Sequence, residues 1–252
     1  MILDNLSRAF KTQNWFAVAT EFVIVIAGVV IGFQINAWNE TRAERALGQT
    51  YQALIVGEIE RQRAAYEAMV RSAASVIQEV EVVAAAIDDP ESVRSDPDRF
   101  ISAVWFSRYR SYRDTQRIIY DGMESSGRIA LIDDEEAVQE IRAFYRMVAG
   151  TDSILVNDWN PWSRYNIALE GYLTAYEIAA IQAASASGTS HELFTADEAA
   201  ALAARMRENP EVVRLVRSIT MRHYAVQGFA ESAIVQSDSI LSNLGARQEA
   251  AP

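Results

Sequence analysis

The sequence predicts an all-α protein in which a single N-terminal transmembrane helix continues into a helical-bundle soluble domain. Three observations predict this class: one long apolar segment, apolar residues that then recur at steps of three and four, and very few strand patterns. The predicted divisions are a short N-terminal tail (1–14), the transmembrane helix (15–38), a stalk-like long helix (39–89), a helical-bundle domain (90–245) and a disordered tail (246–252).

The apolar segment runs from Phe22 to Phe33 without a polar side chain. Extended outward to Trp15 and Trp38, it has the length that crosses a bilayer at about 1.5 Å per residue. The two tryptophans lie where interfacial indoles are expected. A helix that is apolar on every face has no side to show water, so we expect it to span a membrane rather than lie in a core.

A cleaved signal peptide is the alternative to a permanent anchor. Its leader would carry Arg8 and Lys11, and its cleavage site would be Ile35-Asn36-Ala37. Glu21, the length of the apolar segment and the bulky residues at its end favour an uncleaved anchor.

Orientation follows from the basic residues on either side of the span. Arg8 and Lys11 precede it, and Arg42 and Arg45 follow it, diluted by neighbouring glutamates. The simplest topology keeps the N-terminus in the cytoplasm and exports the domain, which in a bacterium places it in the periplasm.

Five residues of the span are candidates for interaction within the membrane: Glu21, Gly28, Gly32, Asn36 and Trp38. The glycines form a Gly-x-x-x-Gly pair, which allows two helix backbones to approach closely in lipid. An ionisable group such as Glu21 is costly in hydrocarbon and tends to face a partner or cavity. It either snorkels to the interface, pairs with a partner's arginine or acts as a functional acid.

The helical pattern continues beyond Trp38 as far as Asp88-Asp89-Pro90. Heptad-like apolar or small positions are Leu47, Tyr51, Ile55, Ile59, Tyr66, Met69, Ala73, Val76, Val80, Val83 and Ile87. The charged residues between them, Glu58 and Arg61 included, are predicted to form a solvated face. The stripe indicates either a coiled coil between subunits or a helix packed on its own domain.

Later helices have recognisable ends. Asp96-Pro97 and Asn209-Pro210 are N-caps followed by proline, and Thr195 to Glu198 is a capping box. Further predictions are a helix from Asp134 to Gly150, a helix from Pro161 to about Ala183, and a surface loop from Ala184 to Ser190. Ser125-Ser126-Gly127 predicts a helix end, with Gly127 in the left-handed conformation.

Two patches of the chain carry recognisable motifs. The first runs from Glu21-Phe-Val-Ile-Val to Trp38-Asn39-Glu40, and the second from Tyr120 through Ser125-Ser126-Gly127 to Ile132-Asp-Asp and then Ile141 and Phe144-Tyr145. Both resemble a family of bacterial single-pass membrane proteins of unknown function. Ile129 stands where the family's turn usually has leucine. The resemblance covers about a quarter of the chain and implies an architecture, with no established reaction.

The densest unusual patch of the domain combines aromatic residues with four arginines, Arg108, Arg110, Arg113 and Arg117. Arginine offers a forked donor for carboxylate or phosphate and stacks on aromatic rings. If the helix is continuous, Arg110, Arg113 and Arg117 share one face and form an anion or partner site. Alternatively, the arginines pair with the chain's own acids while the aromatic residues form core.

Composition limits the classes of function. The formal net charge of −11 argues against a general nucleic-acid binder, which needs a basic surface to neutralise phosphates. The absence of cysteine excludes disulfides, thiolate metal sites and a cysteine nucleophile. His191 and His223 are the only histidines, and the acidic run 133–136 lacks the spacing of a calcium loop. The sequence predicts no catalytic residue, cofactor or metal site.

The leading interpretation is a non-enzymatic accessory or scaffold protein of the bacterial inner membrane. Its expected partners are the lipid bilayer and other membrane proteins or a second copy of the chain, and no nucleic acid. One alternative is a periplasmic small-anion sensor, although the tail before the span is too short to hold an output domain. The other is an ion-coupled motor subunit in which Glu21 carries protons, which lacks a recognisable cell-wall-binding segment.

Overall fold

The computed structural model describes residues 15–112, 115–132, 134–157, 160–187 and 193–250. Helix α1, Trp15–Asp88, is one uninterrupted helix of 74 residues, about 110 Å long at 1.5 Å per residue. Its N-terminal part is long and apolar enough to cross a membrane and is not covered by the other described residues. The described residues contain no strand, so the all-α prediction is confirmed.

The remaining helices form a bundle around the second half of α1. Their bounds are α2 Pro97–Phe106, α3 Ile118–Ser125, α4 Glu135–Asn157, α5 Asn160–Ala168, α6 Ala175–Ser187, α7 Ala196–Glu208 and α8 Pro210–Ala250. A short 3-10 turn at Pro90–Ser95 joins α1 to α2. A second 3-10 turn, at Arg128–Leu131, lies between α3 and α4.

Helices α1 and α8 form the main pair of the fold and run antiparallel. Arg63 contacts Asp238, and the rings of Tyr66 and Phe229 meet edge to face at 5.6 Å, so rising numbers on α1 match falling numbers on α8. The buried positions of α1 alternate in steps of four and three from Ile55 to Ile87. This period of 3.5 is the spacing of a coiled-coil seam, and here the seam is filled by the chain's own domain.

Two hydrophobic cores lie one above the other along this pair. The proximal core, nearer the span, combines α1 with α3, α4 and the C-terminal half of α8, and includes Ile59, Tyr145 and Val226. The distal core combines the end of α1 with α2, α5, α7 and the start of α8, and includes Val80 and Ile219. The segment expected to be a stalk therefore supplies both cores from Ile55 onward.

Several predicted boundaries are confirmed. α1 ends at Asp88, Asp96 accepts a hydrogen bond from the Arg99 backbone ahead of Pro97, and Thr195 forms a complete capping box. Gly127 has φ +71°, the left-handed conformation expected after α3.

Other boundaries differ from the predictions. The helix that starts near Pro161 ends at Ala168, because the chain turns at Gly171 with φ +79° and restarts at Ala175. That second helix runs to Ser187, so residues 184–187 of the expected loop are helical, and the rest of that loop, 188–190, lies outside the described residues. α4 continues past Gly150 to Asn157, and α8 continues to Ala250 beyond the predicted start of the tail at 246.

Candidate functional site

The part of α1 that is long and apolar enough to cross a membrane carries a line of polar and small residues along one side. At 3.6 residues per turn, Glu21, Gly28, Gly32 and Asn39 fall within about 20° of one line along the helix. All four are exposed, and no atom lies within 4 Å of a Cβ placed on either glycine. These four residues form what we call the span face, which is open to close approach by another helix.

Asn36 and Trp38, the other predicted residues of the span, contact their own helix. Asn36 Nδ2 donates to Glu40 Oε1 at 2.9 Å, and the Arg42 guanidinium lies 5.7 Å from the centre of the Trp38 ring. At about 100° per residue, Asn36 is turned roughly 60° and Trp38 roughly 100° away from the span face. The structure thus places these two residues at the end of the span, off its glycine face.

The predicted helical face of arginines does not form. α2 ends at Phe106 and α3 begins at Ile118, and residues 107–112 and 115–117 are not helical. The arginines have separate surroundings: Arg108 lies over Trp105 and donates to Asn166, Arg110 lies over Tyr112, Arg117 is 3.8 Å from Asp121, and Arg113 lies outside the described residues. The condition for one shared helical face, a continuous helix through these arginines, is therefore not met within the described residues.

Residues 107–112 and 115–117, the crossing segment, pass from the distal core to the proximal core. Hydrogen bonds from its inward-facing polar side chains, rather than helical backbone hydrogen bonds, hold the segment on this path. Their bonds are Ser107 Oγ to Tyr165 OH at 2.9 Å, Ser111 Oγ to His223 Nδ1 at 2.7 Å, Thr115 Oγ1 to Asp152 at 3.2 Å, and Tyr112 OH to the same carboxylate. One of these bonds joins the segment to α5, one joins it to α8, and two join it to α4. The segment therefore links the two cores.

Glu58 is a buried carboxylate at the centre of the proximal core, only 4 % exposed. It accepts from the backbone N–H of Ile119 at 2.6 Å and of Tyr120 at 3.1 Å, at the open start of α3. It also accepts from Tyr145 OH at 2.7 Å. Burial, followed by this bond to the carboxylate, raises the pKa of the Tyr145 hydroxyl above its ordinary value. Glu58 therefore caps α3 from another helix.

Sequence reasoning placed Glu58 on the solvated face, and the structure corrects this. The sequence held an indication of this about one turn further along, where the apolar positions of the heptad stripe step by seven residues, from Ile59 to Tyr66. Gln62 fills that gap, is 4 % exposed, and donates to the Gln116 carbonyl at 2.8 Å. A polar residue at a seam position indicates a buried polar contact nearby.

The other residues that could act as acids, bases or ligands have structural roles where they are described. Burial lowers the pKa of His223 to about 4, so the ring is neutral near pH 7. Asp134 caps α4 by accepting from the Ala137 backbone, and Trp162 donates to the Arg108 carbonyl. Within the described residues no group of three or more His, Asp or Glu side chains is placed to hold a metal. His191 and Asp133 lie outside the described residues.

The chain matches no family model, no curated protein sequence and no solved structure. Its resemblance to the single-pass membrane family therefore stays a prediction. The candidate site is defined by the molecule's own geometry, which contrasts an open face on the span with hydrogen-bonded buried groups such as Glu58 inside the domain.

Proposed function

We propose that this protein is a single-pass accessory or scaffold protein of a bacterial inner membrane. It binds another membrane protein through the span face and presents its helical domain to that partner on the periplasmic side. The observation that carries the proposal is the span face itself. Glu21, two glycines and Asn39 share one line on a segment that nothing else in the described chain covers.

The energetics of helix association in lipid support a partner helix on this face. Lipid tails pack against any apolar surface equally well, so helices associate in membranes through close backbone approach and through polar groups that avoid hydrocarbon. The glycines offer the first, and the carboxyl group of Glu21 offers the second. A partner span with small residues and a basic or hydrogen-bonding side chain matches this face best.

Rigidity of α1 supports the link between span and domain. The helix passes from Trp38 to Gly48 without interruption, a rise of about 15 Å, and Gly48 is already buried against the 3-10 turn at Arg128–Leu131. The domain is therefore held just beyond the headgroups in one orientation. A partner that docks on the span face also meets a fixed side of the domain.

Site-specific crosslinking in the native membrane tests the proposal. A photo-crosslinking residue at Val25, which lies on the glycine side of the span, is compared with one at Ile26, about 100° further round the helix. We expect a discrete crosslinked product from position 25 and little from position 26. Equal yields from both positions, or lipid adducts alone, would contradict a partner on this face.

Substitutions identify which feature of the face matters. Gly28→Leu and Gly32→Leu should abolish the crosslinked product, whereas Ala27→Leu, at a small residue off the face, should preserve it. Glu21→Gln keeps the shape and removes the charge. If it leaves the crosslink intact but abolishes the protein's role in cells while insertion is normal, the ion-coupled motor becomes the better explanation.

A further inference from the structure

A cleft of about 380 Å³ opens between α1 and the start of α3. Its described lining residues are Glu58, Arg61, Gln62, Ala65, Thr115, Gln116, Ile118 and Ile119. The volume falls in the range of small-molecule sites, and a mainly apolar wall with a few polar groups is the usual composition of such sites. The cleft lies on the side of α1 that faces the crossing segment.

Gln62 is the first polar anchor of this cleft. Its Nε2 donates to the Gln116 carbonyl, but its Oε1 is buried and accepts from no donor in the described chain. A buried acceptor without a donor is destabilising, because it has lost its bond to water and gained none in return. A ligand N–H or O–H that reaches this oxygen relieves that cost, so the cleft favours a ligand with a hydrogen-bond donor.

Arg61 is the second anchor, and it lies one residue before Gln62. Its guanidinium lies back along the helix beside Gly57, where a Cβ would stand 3.4 Å from Nη1. Arg61 is exposed and makes no ion pair within the described residues. The nearby Glu58 is already held by three donors. An anionic group therefore finds its partner in Arg61.

The apolar wall completes the site. Ala65 is exposed on α1, and Ile118, 70 % exposed at the start of α3, has an open side chain at the rim. An exposed isoleucine beside a cleft offers apolar surface that a ligand can cover.

We propose that this cleft binds a small amphiphilic acid that also carries an amide or hydroxyl donor. Its acid group pairs with Arg61, its donor reaches Gln62 Oε1, and its apolar body covers Ala65 and Ile118. Because the site is built on the same unbroken helix as the span, an occupant contacts the element that enters the membrane. This inference is independent of the proposed partner on the span face.

The test uses the full chain, which lacks cysteine, so that a single introduced thiol can be followed. The A65C variant places the thiol in the cleft, and the A64C variant places it on the exposed surface of α1 outside the lining. N-acetyl-phenylalanine, which has an acid, an amide N–H and an apolar ring, is the probe. We expect it to slow maleimide labelling of A65C by the factor 1 + [L]/Kd, about threefold at twice Kd, without slowing A64C.

Three comparisons assign the anchors. N-acetyl-phenylalanine amide lacks the acid and 3-phenylpropionate lacks the N–H, and each should need about tenfold more ligand for equal protection, which corresponds to about 1.4 kcal/mol. Arg61→Gln in the A65C background should weaken the acid probe to the level of the amide, whereas the exposed Arg71→Gln should not. Circular dichroism and thermal unfolding establish that each variant is folded.

Equal slowing of both thiols, no protection of A65C up to the solubility limit of the probe, or equal protection by acid and amide would each overturn the proposal. Protection that persists fully in Arg61→Gln would also overturn it.

Discussion

The two halves of helix α1 have opposite surroundings although one unbroken helix contains both. Residues 18–47 are exposed on every side, whereas from Ile55 to Ile87 a seam of period 3.5 is buried in two cores. The first half carries Glu21 and Asn39 on an open face. The second half carries Glu58 and Gln62 inward. The same chemical groups are thus exposed in one half and take part in internal structure in the other.

This difference shows that the position of a carboxylate in a helical pattern does not by itself decide its role. Glu58 is stabilised because three donors, two of them at the start of α3, converge on it from other elements. Glu21 is exposed and has no comparable donors within the described chain. The predictions below separate the two halves by matched substitutions.

Glu58→Ala should produce the largest effect on the domain. It leaves two buried backbone N–H groups and the Tyr145 hydroxyl without their acceptor, which costs about 4 kcal/mol. Glu21→Ala in the span should change the domain's free energy of unfolding by less than about 0.5 kcal/mol. Urea unfolding followed by circular dichroism measures both. Similar losses for the two variants would mean that the halves are energetically coupled.

Lowering the pH should reduce the free energy of unfolding of the helical domain through His223. The folded-state pKa of His223, about 4, lies below its ordinary value of 6.5 because the ring is buried. Above pH 6.5 the ring is neutral in both states, and its contribution is fully present. As the pH falls from 6.5 to 4, the unfolded chain takes up the proton first, and about 3 kcal/mol is lost.

The measurement is the free energy of unfolding at several pH values, compared with the same series for His223→Gln. The variant lacks the titrating ring, so its decline between pH 6.5 and 4 should be shallower. An unchanged slope would show that acidic groups, and not His223, control the pH response.

The fold class, the candidate span and most helix ends were predictable because they depend on local patterns. A run of apolar residues, a cap such as Thr195 and a glycine at the left-handed position of Gly127 each act over a few residues. The buried seam of α1 was also visible as a heptad stripe, although its partner was not. That partner, α8, lies more than a hundred residues away in the chain.

The crossing segment could not be predicted, because long-range hydrogen bonds determine its path. Ser111 bonds to His223 across 112 residues, and Thr115 bonds to Asp152 across 37. The arginine spacing predicted a shared face only if a continuous helix ran through this segment, and the described residues of the segment are not helical. Of the candidate site, the glycine pair and Glu21 were identified from sequence, whereas Glu58, Gln62 and the cleft required the three-dimensional arrangement.

Two glycines on the same helix provide the most direct comparison of its halves. A Cβ placed on Gly48 would stand 2.1 Å from the Leu131 carbonyl oxygen, whereas one on Gly28 would meet nothing within 4 Å. Gly48→Ala must therefore displace the turn at Arg128–Leu131, at a cost of about 2 kcal/mol that exceeds alanine's helix advantage of about 1 kcal/mol. Gly28→Ala keeps that advantage and should leave the domain's unfolding unchanged.

Thermal unfolding of the two variants measures the contrast. Nuclear magnetic resonance monitors whether each variant loses the contact between Arg128 and the Tyr51 ring. The guanidinium of Arg128 lies 5.5 Å from the Tyr51 ring centre, so it reports whether the turn stays on α1. A Gly48→Ala protein as stable as the wild type would mean that the turn can move without loss. The domain would then begin further from the membrane than Gly48, and a partner docked on the span face would meet a less rigid neighbour.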